Sequence, residues 1–150
     1  MPQINKIRFL PPYGVLIFMV LMYLLDKYFP IVAWQNTRTI SYLLLASSIL
    51  CILYCAYIFH KHKTEIKPFE ESSFLILSWP YTTSHNPIYL CMTIFLFGWG
   101  VFLQSISAFI VIPVFVLWIH NKFIMQEEVM LEDTFSNDYC DYKNRVRRWI

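Results

Sequence analysis

The chain has 150 residues, the length of one domain. Apolar residues make up 57% of it and charged residues only 15%, against about 25% charged in ordinary soluble domains, and this argues against a soluble globular protein. The net charge of +2 is too small, and the basic residues too dispersed, for a nucleic-acid groove, so the expected class is an integral membrane protein.

The first apolar segment runs from Tyr13 to Phe29 and ends at Asp26, Lys27 and Pro30 without a small-residue cleavage site, so it is expected to remain in the protein. The second, Ile40 to Phe59, carries no charge and as a helix crosses about 30 Å of hydrocarbon. A third spans Ile88 to Leu103 and a fourth Ile106 to Phe123, both near the lower length limit, joined by an uncharged turn at Gln104-Ser105. Pro113 in the fourth removes a backbone donor and crowds the preceding turn, which predicts a kink. Beyond it, Ile124, Glu127, Glu128, Leu131 and Phe135 fall at i, i+3, i+4, i+7 and i+11, the spacing of one helical face that mixes apolar residues with carboxylates. The fold expected is all-α: an integral membrane bundle of about four transmembrane helices, with a short hairpin from spans three and four and a cytosolic C-terminal helix. It is read as one domain over residues 1–150.

Lysine and arginine set the orientation. Ten of the twelve basic residues fall in the N-terminus, in the loop after span two, or in the tail after span four, whereas Lys27 and Arg38 lie on the other side. The positive-inside rule therefore places both termini in the cytosol of a multi-pass protein. A prokaryotic plasma (inner) membrane is the expected location for so short a chain. The four cysteines, three of them inside apolar runs, have neither a disulfide framework nor metal-site spacing, so buried thiols and no metal are expected.

Two polar places carry possible chemistry. Trp79 to Leu90 contains Pro80 and Pro87, which hold the backbone extended and end a turn where span three begins. It sets Tyr81, His85, Asn86 and Tyr89 at the cytosolic end of that span, either as a site or as an interfacial aromatic belt. Glu127 and Glu128 follow span four, either as functional carboxylates or as a solvated face. The basic end of the tail, Val146-Arg147-Arg148-Trp149, equally suits anionic lipid headgroups.

Taken in order, the two places resemble the isoprenylcysteine carboxyl methyltransferase and phospholipid methyltransferase superfamily of membrane enzymes. There, Gly-Pro-Tyr-Arg-Tyr-x-Arg-His/Asn-Pro-x-Tyr-x-Gly precedes a helical hairpin, followed by Glu-Glu-x-x-Leu, Phe-Gly-x-x-Tyr-x-x-Tyr and Val-x-x-Trp. Here Pro80-Tyr81, Asn86-Pro87-Ile88-Tyr89, Glu127-Glu128 with Leu131, Phe135, Tyr139, Tyr142, Val146 and Trp149 match in order and spacing. The likeness covers residues 60–150, while 1–59 match only as two generic spans. Trp79 and Cys91 stand where the pattern has glycine, Thr82 and His85 where it has arginine, and Phe123 where the carboxyl methyltransferases have an arginine that contacts substrate.

The resemblance implies S-adenosyl-L-methionine bound at the cytosolic face by residues 60–150, and a lipid or lipidated acceptor entering from the bilayer. Carried over by position, the cofactor contacts fall on Ser73, Phe74, Leu75, Ile76, Tyr81, Asn86, Pro87, Ile88, Tyr89 and Glu127. Aromatic faces such as Tyr81 and Tyr89 stabilise a sulfonium cation, and a carboxylate such as Glu127 accepts charge-assisted hydrogen bonds from ribose hydroxyls or an ammonium. The acceptor is either a carboxylate, already ionised, or a lipid amine that must lose a proton, for which Glu128 or His85 is the candidate base. The competing reading is a non-catalytic membrane scaffold or lipid-binding protein that keeps the methyltransferase fold. A transporter fits less well, because the spans hold almost no ionisable residue apart from Asp26.

Overall fold

The computed structural model describes residues 10–31, 36–62 and 75–149. Its elements, in chain order, are helices α1 (Pro11–Tyr28), α2 (Arg38–Lys61), α3 (Pro87–Leu103), α4 (Ile106–Phe109) and α5 (Val111–Ile119), a π-helical turn (His120–Ile124) and helix α6 (Met125–Arg145). The protein is an all-helical membrane bundle, and the four apolar segments coincide with helices to within two residues at their starts. Proline at the first helical position begins α1 and α3, where its missing N–H costs nothing.

Helix α2 and the continuous run Ile106–Arg145 are long and apolar enough to cross a membrane. The apolar part of that run ends near Phe123, and α6 beyond it is charged. The outer faces of α1 and α2 expose Leu16, Ile17, Val20, Leu43, Leu50 and Leu53. So large an apolar surface is unfavourable in water but is at home against lipid chains. In that setting hydroxyls must be satisfied locally. Buried Ser41 and Ser48 donate to the carbonyls of Arg38 (2.7 Å) and Leu44 (2.6 Å) of their own helix.

Helix α3 is the hub, packing on α1, α2, α4 and α5. Its approach to α2 is close because Gly98 has no side chain: a Cβ there would lie 3.0 Å from Leu44 Cβ and 3.3 Å from the Leu45 backbone nitrogen. Small residues at such crossings let helices gain dispersion contact in a medium that supplies no hydrophobic drive between them. Met22, Leu96, Ala108, Phe115 and Ile119 form the fully buried centre between α1, α3 and the hairpin's second limb. The Trp99 indole N–H donates to the Met19 carbonyl at 3.3 Å, tying α1 to α3.

The hairpin turns as expected at Gln104, in the left-handed region (φ 57), and extended Ser105. The effect of Pro113 also appears where the physics puts it. The helix breaks at Ile110, between α4 and α5, with Ile110 N–H bonding back to Ser107 at a long 3.4 Å, in the turn that proline crowds.

The expected C-terminal helix is present, with one interruption. Ser136 adopts φ 44, ψ −115 inside α6, turning the chain directly after Phe135. This is a conformation that glycine adopts freely and other residues adopt at a cost, and glycine occupies this position in the Phe-Gly-x-x-Tyr pattern. Replacing Ser136 by glycine is expected to stabilise the protein by about 1 kcal/mol, read as a higher melting temperature in detergent. By contrast, Gly98→Val is expected to force α2 from α3 and cost about 1–3 kcal/mol, read as a lower one.

Candidate functional site

The start of α1, the end of α2, the start of α3 and the residues after the π turn all converge at one end of the bundle, around a cavity of about 300 Å³. That is at the lower end of the range of small-molecule pockets, about 300–1,000 Å³. Its walls differ in chemistry. Leu10, Pro11 and Pro12 from α1, Ile52, Ala56 and Phe59 from α2, and Ile88 and Met92 from α3 are apolar. Tyr81, His85, Asn86, Tyr89, Glu127, Glu128, Tyr139 and Tyr142 form the polar side.

The segment Ser78–Pro87 reaches the cavity through a tight turn, in which the Tyr81 and Thr83 amides donate to the carbonyls of Ser78 (2.8 Å) and Pro80 (3.0 Å). The Ser84 hydroxyl then accepts from the Asn86 amide at 3.1 Å, and Pro87 starts α3. Asn86 and Tyr89 are thereby fixed at a helix start, on backbone that cannot slide. Tyr142 locks the turn from the other side, donating its hydroxyl to the Tyr81 carbonyl at 2.6 Å.

The two polar places of the sequence meet directly. The Tyr89 hydroxyl donates to Glu127 Oε1 at 2.6 Å across 38 residues. No lysine or arginine among the described residues pairs with Glu127. Burial pushes its carboxyl up to about 7, and only the Tyr89 hydrogen bond opposes that shift. A half-buried carboxylate facing a cavity without a cation is a place for a cationic ligand, since a positive partner would recover the lost solvation.

Glu128, one residue on, has a different role. Arg148 grips both of its oxygens, Nε to Oε1 at 2.6 Å and Nη2 to Oε2 at 2.8 Å, and Lys143 lies 3.9 Å away while bonding Glu132. The His85 imidazole packs against Tyr142 with ring centroids 4.8 Å apart and the planes tilted by 38°, and neither ring nitrogen has a hydrogen-bond partner among the described residues. Burial lowers its affinity for a proton, partly offset by the nearby Glu128.

Of the residues carried over to the cofactor, Leu75, Ile76, Tyr81, Asn86, Pro87, Ile88, Tyr89 and Glu127 all line this cavity, as do His85 and Glu128. Ser73 and Phe74 lie outside the described residues. Of the departures from the pattern, Trp79, Thr82, Cys91 and Phe123 do not line the cavity, whereas His85 does. Trp79 is exposed and packs on Tyr54 (5.2 Å between centroids), Cys91 is buried in α3, and Phe123 is buried against Trp118.

Sequence reasoning missed three contributors. The α1 and α2 wall residues are ordinary apolar positions of generic spans and give no signal in a linear sequence. Arg148, read as part of a lipid-facing basic patch, turns out to be the partner of Glu128. Its one visible clue is a basic residue following an otherwise unexplained acidic pair.

A helical membrane bundle with a cavity apolar on one side and acidic and aromatic on the other has the form of a site for an amphiphile and a cation. The chain belongs to the phospholipid methyltransferase family, whose match covers residues 36–138. Membership assigns it to the membrane methyltransferases. It is also 35% identical over 63 residues to an uncharacterized protein of Haemophilus influenzae, a stretch that is 42% of this chain and the whole of that protein. No solved structure matches it.

If the Tyr89 hydrogen bond is what holds the Glu127 carboxyl down, Tyr89→Phe is expected to raise its proton affinity further above the pH 7 range. The infrared carboxyl C=O band of Glu127, assigned by its disappearance in Glu127→Gln, then persists to higher pH in the variant than in the parent protein.

Proposed function

We propose that the protein is an S-adenosyl-L-methionine-dependent methyltransferase acting on a membrane-embedded amphiphilic acceptor, and that the acceptor's reacting group is a lipid amine. The observation that carries this reading is the Tyr89–Glu127 contact at 2.6 Å, which joins two distant motifs in one cavity open to apolar walls.

The residues present fit the cofactor. Glu127 offers a carboxylate with no cationic partner among the described residues to an ammonium or to ribose hydroxyls. Tyr81 and Tyr89 offer aromatic faces to a sulfonium, and Leu75 and Ile76 border the same space. When bound, S-adenosyl-L-methionine supplies a methyl group on a positively charged sulfur. The chain's contribution is then alignment and the exclusion of water.

Charge separates the two acceptor chemistries. Arg148 balances Glu128, but Glu127 has no cationic side-chain partner among the described residues and no lysine or arginine lines the cavity, so nothing on its walls would hold an acceptor carboxylate. A lipid ammonium is attracted there instead, and must lose a proton before its nitrogen lone pair can react. His85, neutral near pH 7 and with no geometrically formed hydrogen bond to either ring nitrogen among the described residues, is suited to take that proton. Glu128, held on both oxygens by Arg148, is less suited. The acyl chains of such a lipid would lie along Ile52, Ala56, Met92 and the first turn of α1. The sequence segments before α1, after α2 and after span four hold ten of the twelve basic residues, which supports a multi-pass topology with this end and both termini in the cytosol.

Purified protein in phospholipid nanodiscs, given cofactor with a labelled methyl group, is expected to label the amine-headgroup lipid. Absence of transfer to any lipid or peptide, together with absence of cofactor binding by calorimetry, would leave the non-catalytic scaffold as the reading. His85→Ala is expected to lower turnover about a hundredfold or more while cofactor binding persists. Glu127→Gln is expected to weaken cofactor binding at least tenfold, the scale of about 1.5–3 kcal/mol for a hydrogen bond to a charged group. Only ionised Glu127 attracts a cation, so affinity in the parent protein rises with pH up to about 7 and then levels off, whereas in Glu127→Gln this dependence disappears.

A further inference from the structure

After Arg145 the chain leaves α6 and becomes extended at Val146 (φ −114, ψ 144), so that residues 146–149 cross the cavity-forming turn as a strap. Two of its carbonyls are engaged there. The Arg147 carbonyl accepts from the His85 amide at 3.0 Å, and the Arg148 carbonyl accepts from the Ser84 hydroxyl at 3.2 Å and from Asn86 Nδ2 at 3.3 Å. Val146 packs on the Tyr81–Tyr142 cluster and Trp149 on the main apolar core. The backbone of Arg148 thus holds the turn that carries Asn86, while its guanidinium holds Glu128. The strap also lies beyond the family match, which ends at residue 138.

We propose that Arg148 is a positioning residue of the cofactor site: it commits Glu128 to the strap and so leaves Glu127 as the carboxylate free to receive the cationic cofactor. This rests on the cofactor reading above. The physical case is charge accounting. Glu127 and Glu128 are adjacent and line one cavity, and two neighbouring carboxylates in a poorly solvated space cannot both stay ionised without compensation. The bidentate guanidinium supplies that compensation to Glu128 with a fixed geometry that a lysine cannot copy. The titratable and charged groups around Glu127 are Tyr89 from α3, Tyr81 and His85 from the turn, Glu128, Tyr139 and Tyr142 from α6, and Lys143 and Arg148 behind Glu128. Of these, Arg148 alone grips a carboxylate of the cavity through both oxygens.

The test is S-adenosyl-L-methionine affinity by calorimetry, from pH 5.5 to 8.5, on the full chain in nanodiscs. Arg148→Ala is expected to weaken binding about tenfold at pH 7 and to move the pH midpoint of binding upward by about one unit, because uncompensated Glu128 then competes with Glu127 for charge. Arg148→Lys should recover part of this. The double variant Glu128→Gln/Arg148→Ala is expected to return the midpoint to that of the parent protein, since the uncompensated charge is gone. A purely structural strap predicts the reverse, with the double variant binding no better than Arg148→Ala and all midpoints equal, and that result overturns the proposal. If Arg148→Ala fails to fold, the lysine and double variants carry the same comparison. Failure of the parent protein to bind cofactor at any pH removes the cofactor reading and this proposal together, whereas normal parent binding with an unmoved midpoint in the variants removes this proposal alone.

Discussion

The Tyr89 hydroxyl and the Glu127 carboxylate meet at 2.6 Å although one begins the third apolar segment and the other follows the fourth. That contact requires the hairpin of α3 with α4 and α5 to return the chain to the end of the bundle from which it left. It also requires a polar pair to lie where lipid gives way to water. A carboxylate midway along these helices would face hydrocarbon with nothing to pair it; at the helix ends it can share a cavity with tyrosines, a histidine and an asparagine. Most of the molecule serves to hold that position: α3 as hub, Gly98 allowing α2 close to it, and α1 closing one wall.

The two acidic residues show how neighbours in sequence acquire different chemistry. Glu127 and Glu128 differ by one position, about 100° around the helix, and that rotation gives them different partners. Glu128 turns to Arg148 and Lys143 and becomes part of the scaffold. Glu127 turns to a single hydroxyl, and burial then keeps its carboxyl unusually ready to hold a proton. The first is an internally balanced charge and the second an unbalanced one, and only the second has reason to attract a ligand.

Interruptions of the helices fall near this chemistry. The π-helical turn His120–Ile124 immediately precedes the acidic pair, and such turns occur often beside functional sites because they rotate the residues that follow. The non-helical Ser136 lies between Leu131, which lines the cavity, and Tyr139 and Tyr142, which return to it. A straight helix from Met125 to Arg145 would carry both tyrosines about 20 Å beyond Glu127; the break brings them back.

Much of the architecture was legible in the amino-acid order. The runs from Tyr13, Ile40, Ile88 and Ile106 are apolar over near-membrane lengths, and helix is the backbone form that satisfies its own polar groups in lipid, so class, helix limits and the turn at Gln104 follow from local composition. The motif order likewise marked Tyr81, Asn86, Tyr89 and Glu127 as belonging together. Which apolar positions wall the cavity was decided only by tertiary packing, because Leu10, Pro12, Ile52 and Ala56 look like any other lipid-facing or packed residue until the helices are set side by side. That Glu128 is held by Arg148, rather than standing as the candidate base the sequence suggested, was likewise beyond the sequence, since it depends on where an arginine 20 residues away folds back, and charge pairing is a matter of distance in space.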